Sequence, residues 1–415
     1  VLYAMFDRKG HHPQKNVRPA FIVTLLLVCL SFVGNAQTKE ISVEQAVQIA
    51  LSNNLGLKAS SHRIEQSKQL IGSAIDIDKT QVYYNYDQNN IAPNNLPLNV
   101  WGIQQTLAFP TVYGAKRKKL KSQSTLVEDQ YKLDQYMVAK EVSKAYYEVI
   151  YRQQLVTNYY YLDSLYSQFS IAATRKFEEG ESNYLEKITA ETKQREISIL
   201  LKQSEEGVEK SYIHLQQWLQ SDSTFIINNS DRERLPFKPL DSIHHPGIHF
   251  YNDAQLLSQN NLSLEKQQLL PDLQFSVFQG TNNGANPTNY TGFQAGVAIP
   301  LWLGAHKSKI NAAKTAKLIV SSEAKNYQAN LKSTHQSLLS DLKQYEQHLD
   351  YYENTGKKLA EELILHAVKA FKSGEIDFLQ YVQLLENAKT IEINYLNSLF
   401  QYNMAVLEAN YLTNY

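Results

Sequence analysis

Residues Phe109 to Leu120 read FPTVYGAKRKKL, and residues Ile299 to Ile310 read IPLWLGAHKSKI. Pro110, Gly114, Ala115 and Lys119 recur as Pro300, Gly304, Ala305 and Lys309, each 190 residues later. A second pair of motifs follows. Phe177, Gly180 and Glu181 in KFEEGESNYL recur as Phe371, Gly374 and Glu375 in AFKSGEIDFL, now 194 residues apart. The stretch between the two landmarks has therefore kept its length to within four residues. Self-similarity over such a distance marks an internal duplication and constrains the architecture before any local element is assigned. Each half reads helix, two strands, very long helix, tight turn, return helix.

Upstream of each junction the pattern is that of a β-hairpin. Gln81–Asp87, Val100–Phe109, Leu273–Phe278 and Gly292–Ile299 read as strands. Ile103, Leu107 and Phe109 match Phe293, Val297 and Ile299, while Gln104 and Thr106 match Gln294 and Gly296 on the other face. Trp101 and Phe275 join the apolar set. One greasy face and one small or polar face suit an antiparallel sheet whose apolar side meets lipid. Tyr83, Tyr84, Tyr86, Phe278, Tyr290 and Trp302 add aromatics suited to interfacial girdles. The loops at Asn89–Leu98 and Gly280–Tyr290 are rich in Asn, Gly and Pro and read as surface turns.

Downstream, each junction opens a long helix near Gly114 or Gly304. Apolar residues fall at Val138, Val142, Ala145, Val149, Val156, Tyr159, Leu162, Tyr166 and Phe169 in the first. In the second they fall at Leu338, Leu342, Tyr345, Leu349, Tyr352, Leu359 and Leu363. Steps of four and three make a heptad, the coiled-coil period. Gly114–Phe177 and Gly304–Phe371 would run roughly 95 and 100 Å. The shorter helices, Val43–Gly72 with Asn183–Leu219 and Gly247–Leu270 with Ile376–Tyr411, together match one long helix in each half. The sequence divides into repeats at 37–220 and 247–415, joined by a linker at 221–246 with a short strand near Phe225–Ile227.

The whole chain has 415 residues and no net formal charge, which gives no footprint for nucleic acid. Only 16 Gly and 11 Pro over this length fit long uninterrupted elements. Residues 1–36 read as a signal peptide. Arg8, Lys9, Lys15 and Arg18 precede an apolar run, Phe21–Phe32, that is too short to span a bilayer, and Gly34-Asn35-Ala36 offers a cleavage site before Gln37. Val1 and Met5 are both candidate starts. The sole cysteine, Cys29, lies in that run, so a processed chain has no disulfide, thiol nucleophile or thiolate metal ligand. Val28 stands where a lipoprotein carries a small residue, which argues against lipidation of Cys29.

Four strands with an apolar face cannot close a barrel, and open edges are not tolerated in lipid. Three copies supply twelve strands, an allowed even number. The expected fold is therefore an α+β membrane protein: a homotrimeric twelve-stranded outer-membrane β-barrel continued by a periplasmic helical coiled-coil barrel.

The duplicated helix–hairpin–long helix–turn–helix, the P-x-x-x-G junctions and the F-x-x-G-E turns resemble the TolC family of outer-membrane efflux factors, over about Glu40 to Leu412. His245-Pro246 is similar to the opening of the second half in its heavy-metal branch. The resemblance implies a Gram-negative outer-membrane exit duct that docks onto a periplasmic membrane-fusion adaptor and an inner-membrane pump of the RND type. It places the docking tip at Phe177, Gly180, Glu181, Asn183, Phe371, Gly374, Glu375 and Asp377. Some members gate the mouth with an aspartate one or two turns beyond the glycine. Here Gln380 and Gln383 occupy that region and Asp377 lies closer to the turn.

Two other groupings stand out. Lys116, Arg117, Lys118, Lys119 and Lys121, with His306, Lys307 and Lys309, would lie where phospholipid phosphates sit. His244, His245 and His249 could bind metal only if 245 and 249 shared a helix, and Pro246-Gly247 argues against one there. No metal site, cofactor or catalytic grouping is expected, and the chain does not read as an enzyme. Metal ions or small toxic compounds are the expected cargo. A type I secretion channel and an exported coiled-coil structural protein are the alternatives.

Overall fold

The computed structural model describes residues 39–88, 96–221, 223, 225–227, 233–238, 245–282 and 286–413. Residues 1–38 with Cys29, His244, and segments 89–95 and 283–285 of the expected loops lie outside the described residues. The chain divides into two compact units. The smaller comprises residues up to Glu40 with 222–226; the larger comprises Ile41–Ser221 and Ile227–Tyr415. Two short strands, β1 (Lys39–Ile41) and β4 (Phe225–Ile227), pair with each other. The second was expected from sequence and the first was not.

In the larger unit, Ser42 and Gln45 form a reciprocal capping box that starts α1 (Val43–Asn53). One helix was expected over Val43–Gly72, but the chain breaks at Asn54. That residue leaves helical space at ψ 115°, and its side chain accepts from the Leu57 N–H at 3.0 Å. Asn54 thus ends α1 and caps α2 (Leu55–Leu70), because a short amide competes with the helix for its own backbone. A hairpin follows, β2 (Gln81–Asp87) and β3 (Leu98–Leu107). Then α3 (Pro110–Glu178) runs for 69 residues, with Pro110 in its first turn, where the missing N–H costs nothing. The return helix is α4 (Tyr184–Leu219).

The second half follows the same order. α5 (Pro246–Gln267) leads to β5 (Asp272–Thr281) and β6 (Asn289–Ala298). α6 (Leu303–Tyr351), a π-helical turn at Tyr352–Gly356 and α7 (Lys357–Ser373) then run on without interruption, and α8 (Phe378–Thr413) returns. The π turn was not expected. It carries one residue more than an α turn, and it moves the buried stripe by one position. Leu359, which the heptad places inside, is 42% exposed, while its neighbour Ala360 is 2% exposed.

The four long strands form one antiparallel sheet in the order β2-β3-β5-β6, so the two hairpins join through β3 and β5 and leave β2 and β6 as edges. Tyr84 pairs with Trp101, Ile103 with Val277, and Val277 with Phe293. The helices bury their core below. Leu162, Tyr166 and Phe169 on α3 meet Ala190 and Ile197 on α4 and Val382 and Leu385 on α8. Full burial of a side chain such as Phe169 contributes about 1.5–3 kcal/mol. A second cluster joins Leu342 and Leu349 on α6 to Leu399, Tyr402 and Val406 on α8.

Candidate functional site

The sheet separates its side chains by alternation alone. The pairing register puts Val82, Tyr84, Trp101, Ile103, Leu107, Phe275, Val277, Phe293 and Val297 on one face. Nearly all of them are exposed, Phe293 at 85%. Tyr84 and Trp101 touch across the hairpin with ring centroids 4.8 Å apart, and the Tyr84 hydroxyl donates to Asn99 Oδ1 at 2.8 Å. The opposite face carries Gln104, Thr106, Gln274, Ser276 and Gln294, with Gly102, Gly292 and Gly296. In a water-soluble sheet the apolar face would be covered; here it is the uncovered one, the inverse of a soluble core.

Three expectations change. Phe109 and Ile299 lie beyond the strands: Phe109 is the residue before α3, and Ile299 is exposed in the connection to α6. The strands end earlier than their hydrophobic alternation suggests because Pro110 and Pro300 withdraw N–H donors from the ladder. Tyr83, Phe278 and Tyr290 sit on the polar face, so of these added aromatics Tyr84 and Tyr86 share the apolar face with Trp101, Phe275 and Phe293. Trp302 is 89% exposed, past the end of β6.

At the far end of the helices, the two turns are built alike. Gly180 and Gly374 adopt φ +75° and +76°, in left-handed space that side chains disfavour. Gly180 N–H donates to Phe177 O and Glu181 N–H to Lys176 O; Gly374 N–H donates to Phe371 O and Glu375 N–H to Ala370 O. Each turn is a Schellman motif. Asn183 then caps α4, accepting from Glu186 N–H at 2.9 Å. Asp377 caps α8, accepting from Gln380 N–H at 2.7 Å, while Gln380 Oε1 accepts from Asp377 N–H at 3.1 Å. Asp377 and Gln380 therefore close a capping box on each other. Gln383 is exposed on the next turn, and Glu181 and Glu375 are exposed at the turns themselves.

The tips are braced by rings. Phe371 stacks on Tyr381 at 4.8 Å and contacts Phe378, which also reaches Phe169. Phe177 meets Tyr184 edge to face, with the Lys187 ammonium 5.3 Å from its centroid. Glu386 on α8 accepts from the Tyr166 hydroxyl on α3. Beside α7, Leu359, Leu363, His366, Ala370 and Leu384 line an open apolar groove of about 320 Å³. Its leucine at 359 lies outside only because of the π turn, so the heptad pattern hid it.

The basic residues lie between the second and fourth turns of α3 and in the first two turns of α6, with Lys116 3.4 Å from Asp76. His245 is buried and caps α5: its Nδ1 accepts from Gly247 N–H at 3.0 Å and lies 2.7 Å from the Tyr327 hydroxyl. Pro246 takes the first position of this helix and His245 stays outside it in extended geometry, so 245 and 249 do not share a helix. His249 lies exposed in the first turn of α5. Among the described residues, no group of three His, Cys, Asp or Glu side chains could hold a metal ion. Nor is any described helix long and apolar enough to cross a membrane.

This arrangement is found in known structures. A membrane protein from Pseudomonas aeruginosa superposes with a TM-score of 0.75 at 12% identity, each chain covering 90% of the other. The CmeC outer membrane channel of Campylobacter jejuni gives 0.71 at 14%, covering 89% of this chain and 85% of that one. CusC, a protein that forms a transmembrane channel, gives 0.72 at 12%, covering 91% and 94%. No protein-family model and no curated protein matches the sequence. The fold is that of the TolC-family outer-membrane channels.

Proposed function

We propose that the chain is the outer-membrane exit duct of a tripartite efflux system, a passive channel energised by its partners. The observation that carries this reading is the sheet: an exposed apolar face, a polar reverse and two unpaired edges, attached to a helix of 69 residues. Such a sheet is costly in water as a monomer and suited to lipid when closed. Three copies would place β6 of one protomer antiparallel to β2 of the next and complete a twelve-stranded barrel, with Trp101, Ile103, Phe275, Phe293 and Val297 towards lipid and Gln104 and Gln294 towards the lumen.

The two Schellman tips would form the periplasmic mouth and meet a membrane-fusion adaptor, itself joined to an inner-membrane pump. We assign the docking surface to Glu181, Glu375 and the apolar groove beside α7, because the neighbouring Asn183 and Asp377 are occupied as caps. Of the three mouth residues Asp377, Gln380 and Gln383, the first two hold the helix start, which leaves Gln383 to reach across the axis. Metal ions or small toxic compounds are the cargo this reading favours.

The test is reconstitution. Detergent-solubilised protein should contain three chains per particle by light scattering and conduct in planar bilayers. A protein that leaves bacterial membranes without detergent, as a monomer, is instead an exported coiled-coil structural protein.

A further inference from the structure

Residues 233–238, ERLPFK, lie along α8 in a way that the duct reading does not use. Asn403 accepts from Leu235 N–H at 2.9 Å and donates to Glu233 O at 3.1 Å. Asn410 accepts from Lys238 N–H at 3.0 Å and donates to Pro236 O at 3.0 Å. The two amides are seven residues apart, two helical turns, and so share one face. Each satisfies one donor and one acceptor of the extended segment, as a neighbouring strand would. Leu235 and Phe237 pack against the cluster around Leu342, Leu349, Tyr402 and Val406.

Arg234 is fixed elsewhere. Its Nη2 lies 2.9 Å from Asp350 Oδ1 and its Nε 3.0 Å from Glu353 Oε1. Glu353 is inside the π turn and Asp350 is two residues before it. The turn is held on its other side as well. Tyr352 stacks on Tyr395 of α8 with centroids 4.0 Å apart, and the Tyr395 hydroxyl donates to Glu353. Gly356 is buried there, and a Cβ would meet Tyr351, Tyr352 and Ile391 at 3.4–3.5 Å.

Helices that bend sharply do so at proline, at glycine or at π turns, and π turns gather at functional positions. The long helix of the first half has no such turn over its 69 residues. The surplus of four residues in the second half falls between Lys309 and Phe371, the stretch that contains it. A four-residue insertion locally unwinds a coiled coil. Beyond the turn, only Ala360 and Ala367 of the 17 residues of α7 are buried within one protomer, so α7 is lightly held except by α8.

We propose that the π turn at Tyr352–Gly356 is the pivot of the α7–α8 hairpin, and that the 233–238 strap, held by Asn403 and Asn410, latches this pivot through Arg234. A hinge of this kind confines the change in backbone angles to a few residues and lets the segment beyond them swing as a unit. Arg234 bridges the last turn of α6 and the π turn itself, so bending there must stretch one of its two ion pairs. The strap gives that guanidinium a fixed base on α8. The movement would serve the duct, and to that extent the proposal rests on the channel reading.

Paired spin labels on the full chain test it, in a Cys29→Ser background. One pair, Glu181→Cys with Glu375→Cys, reports the two tips. The other, Lys119→Cys with Lys309→Cys, reports the sheet end of the helices. Arg234→Gln should broaden and shift the tip distance distribution and leave the sheet-end distribution unchanged. Deleting Asn354, which returns the turn to α pitch, should narrow the tip distribution. If Arg234→Gln does not accumulate, Glu353→Gln removes one of the two ties and carries the same expectation. An unchanged tip distribution, or equal broadening at both ends, overturns the latch. Bilayer conductance of the unaltered protein is measured separately. Its absence would sink the channel reading while the distances still judged the pivot.

Discussion

Tyr83 covers Gly102 on the next strand, so close that a Cβ at position 102 would come within 2.3 Å of the ring. Phe278 covers Gly292 in the second hairpin in the same way, at 2.5 Å. Gly102 and Gly292 are 190 residues apart, the same interval that separates Pro110 from Pro300. An aromatic ring over a cross-strand glycine restores packing that the missing side chain would leave open, and glycines in strands mark bends. Gly102→Val should therefore destabilise the assembled protein by about 1–3 kcal/mol through overpacking. Gly296→Ala is the control, since nothing lies within 4 Å of a Cβ there. Heat-dependent mobility of the oligomer on gels separates the two.

The exposed face makes a second prediction. Trp101→Arg with Phe293→Arg should abolish recovery in the outer-membrane fraction, because a cation at mid-membrane costs about 2–4 kcal/mol per site. Gln104→Arg with Gln294→Arg, on the polar face of the same strands, should insert normally. Equal behaviour of the two pairs would reverse the facing of the sheet.

At the tips, Gly374→Val places a branched side chain at φ +76°, where L-residues are penalised by about 1–2 kcal/mol. Nothing crowds a Cβ at that position, so the backbone alone is strained. Oligomers should survive and transport should fall. Cysteines for crosslinking a periplasmic partner belong at Glu181 and Glu375 rather than at Asn183 and Asp377, whose loss would also remove a cap worth about 1 kcal/mol.

Acid should act through His245. Burial, reinforced by the charge of Lys140, lowers its imidazole from 6.5 to about 4. The unfolded chain takes up a proton as pH falls below about 6.5, and the folded chain does not until about 4. Stability from the neutral ring is thus complete above about 6.5 and is lost as pH falls through 4. The loss is roughly 3 kcal/mol. His245→Asn keeps a capping side chain and should flatten the melting temperature between pH 7 and pH 4.5. An unchanged slope would move the acid sensitivity to another group.

Much of this architecture is legible in the residues because it is enforced by periodicity. The two-residue alternation around Ile103 and Phe293 survives any detail of packing, and so does the glycine demand at positions 180 and 374. What escaped depends on contacts between segments distant in sequence. Asn54 reads as an ordinary helical residue until its amide turns back on Leu57. Tyr83 and Phe278 look like their neighbours until register decides their face. The π turn was the hardest to see: YENTG carries no breaker before its glycine, and an apolar heptad runs through it. Only the four-residue surplus between the repeats hinted that the second long helix differs from the first.

The two sheet edges are unlike each other, seven residues in β2 and ten in β6. A contact between them across protomers is head to tail, and such contacts make rings only when the rotation closes and open filaments when it does not. In the proposed trimer the curl of each four-stranded sheet, together with the helices that continue it, sets the rotation from one copy to the next. A substitution that flattened the sheet, at Gly102 or Gly292 for instance, would strain the packing under Tyr83 or Phe278 and also change that rotation, turning a closed ring into a chain of protomers with no end.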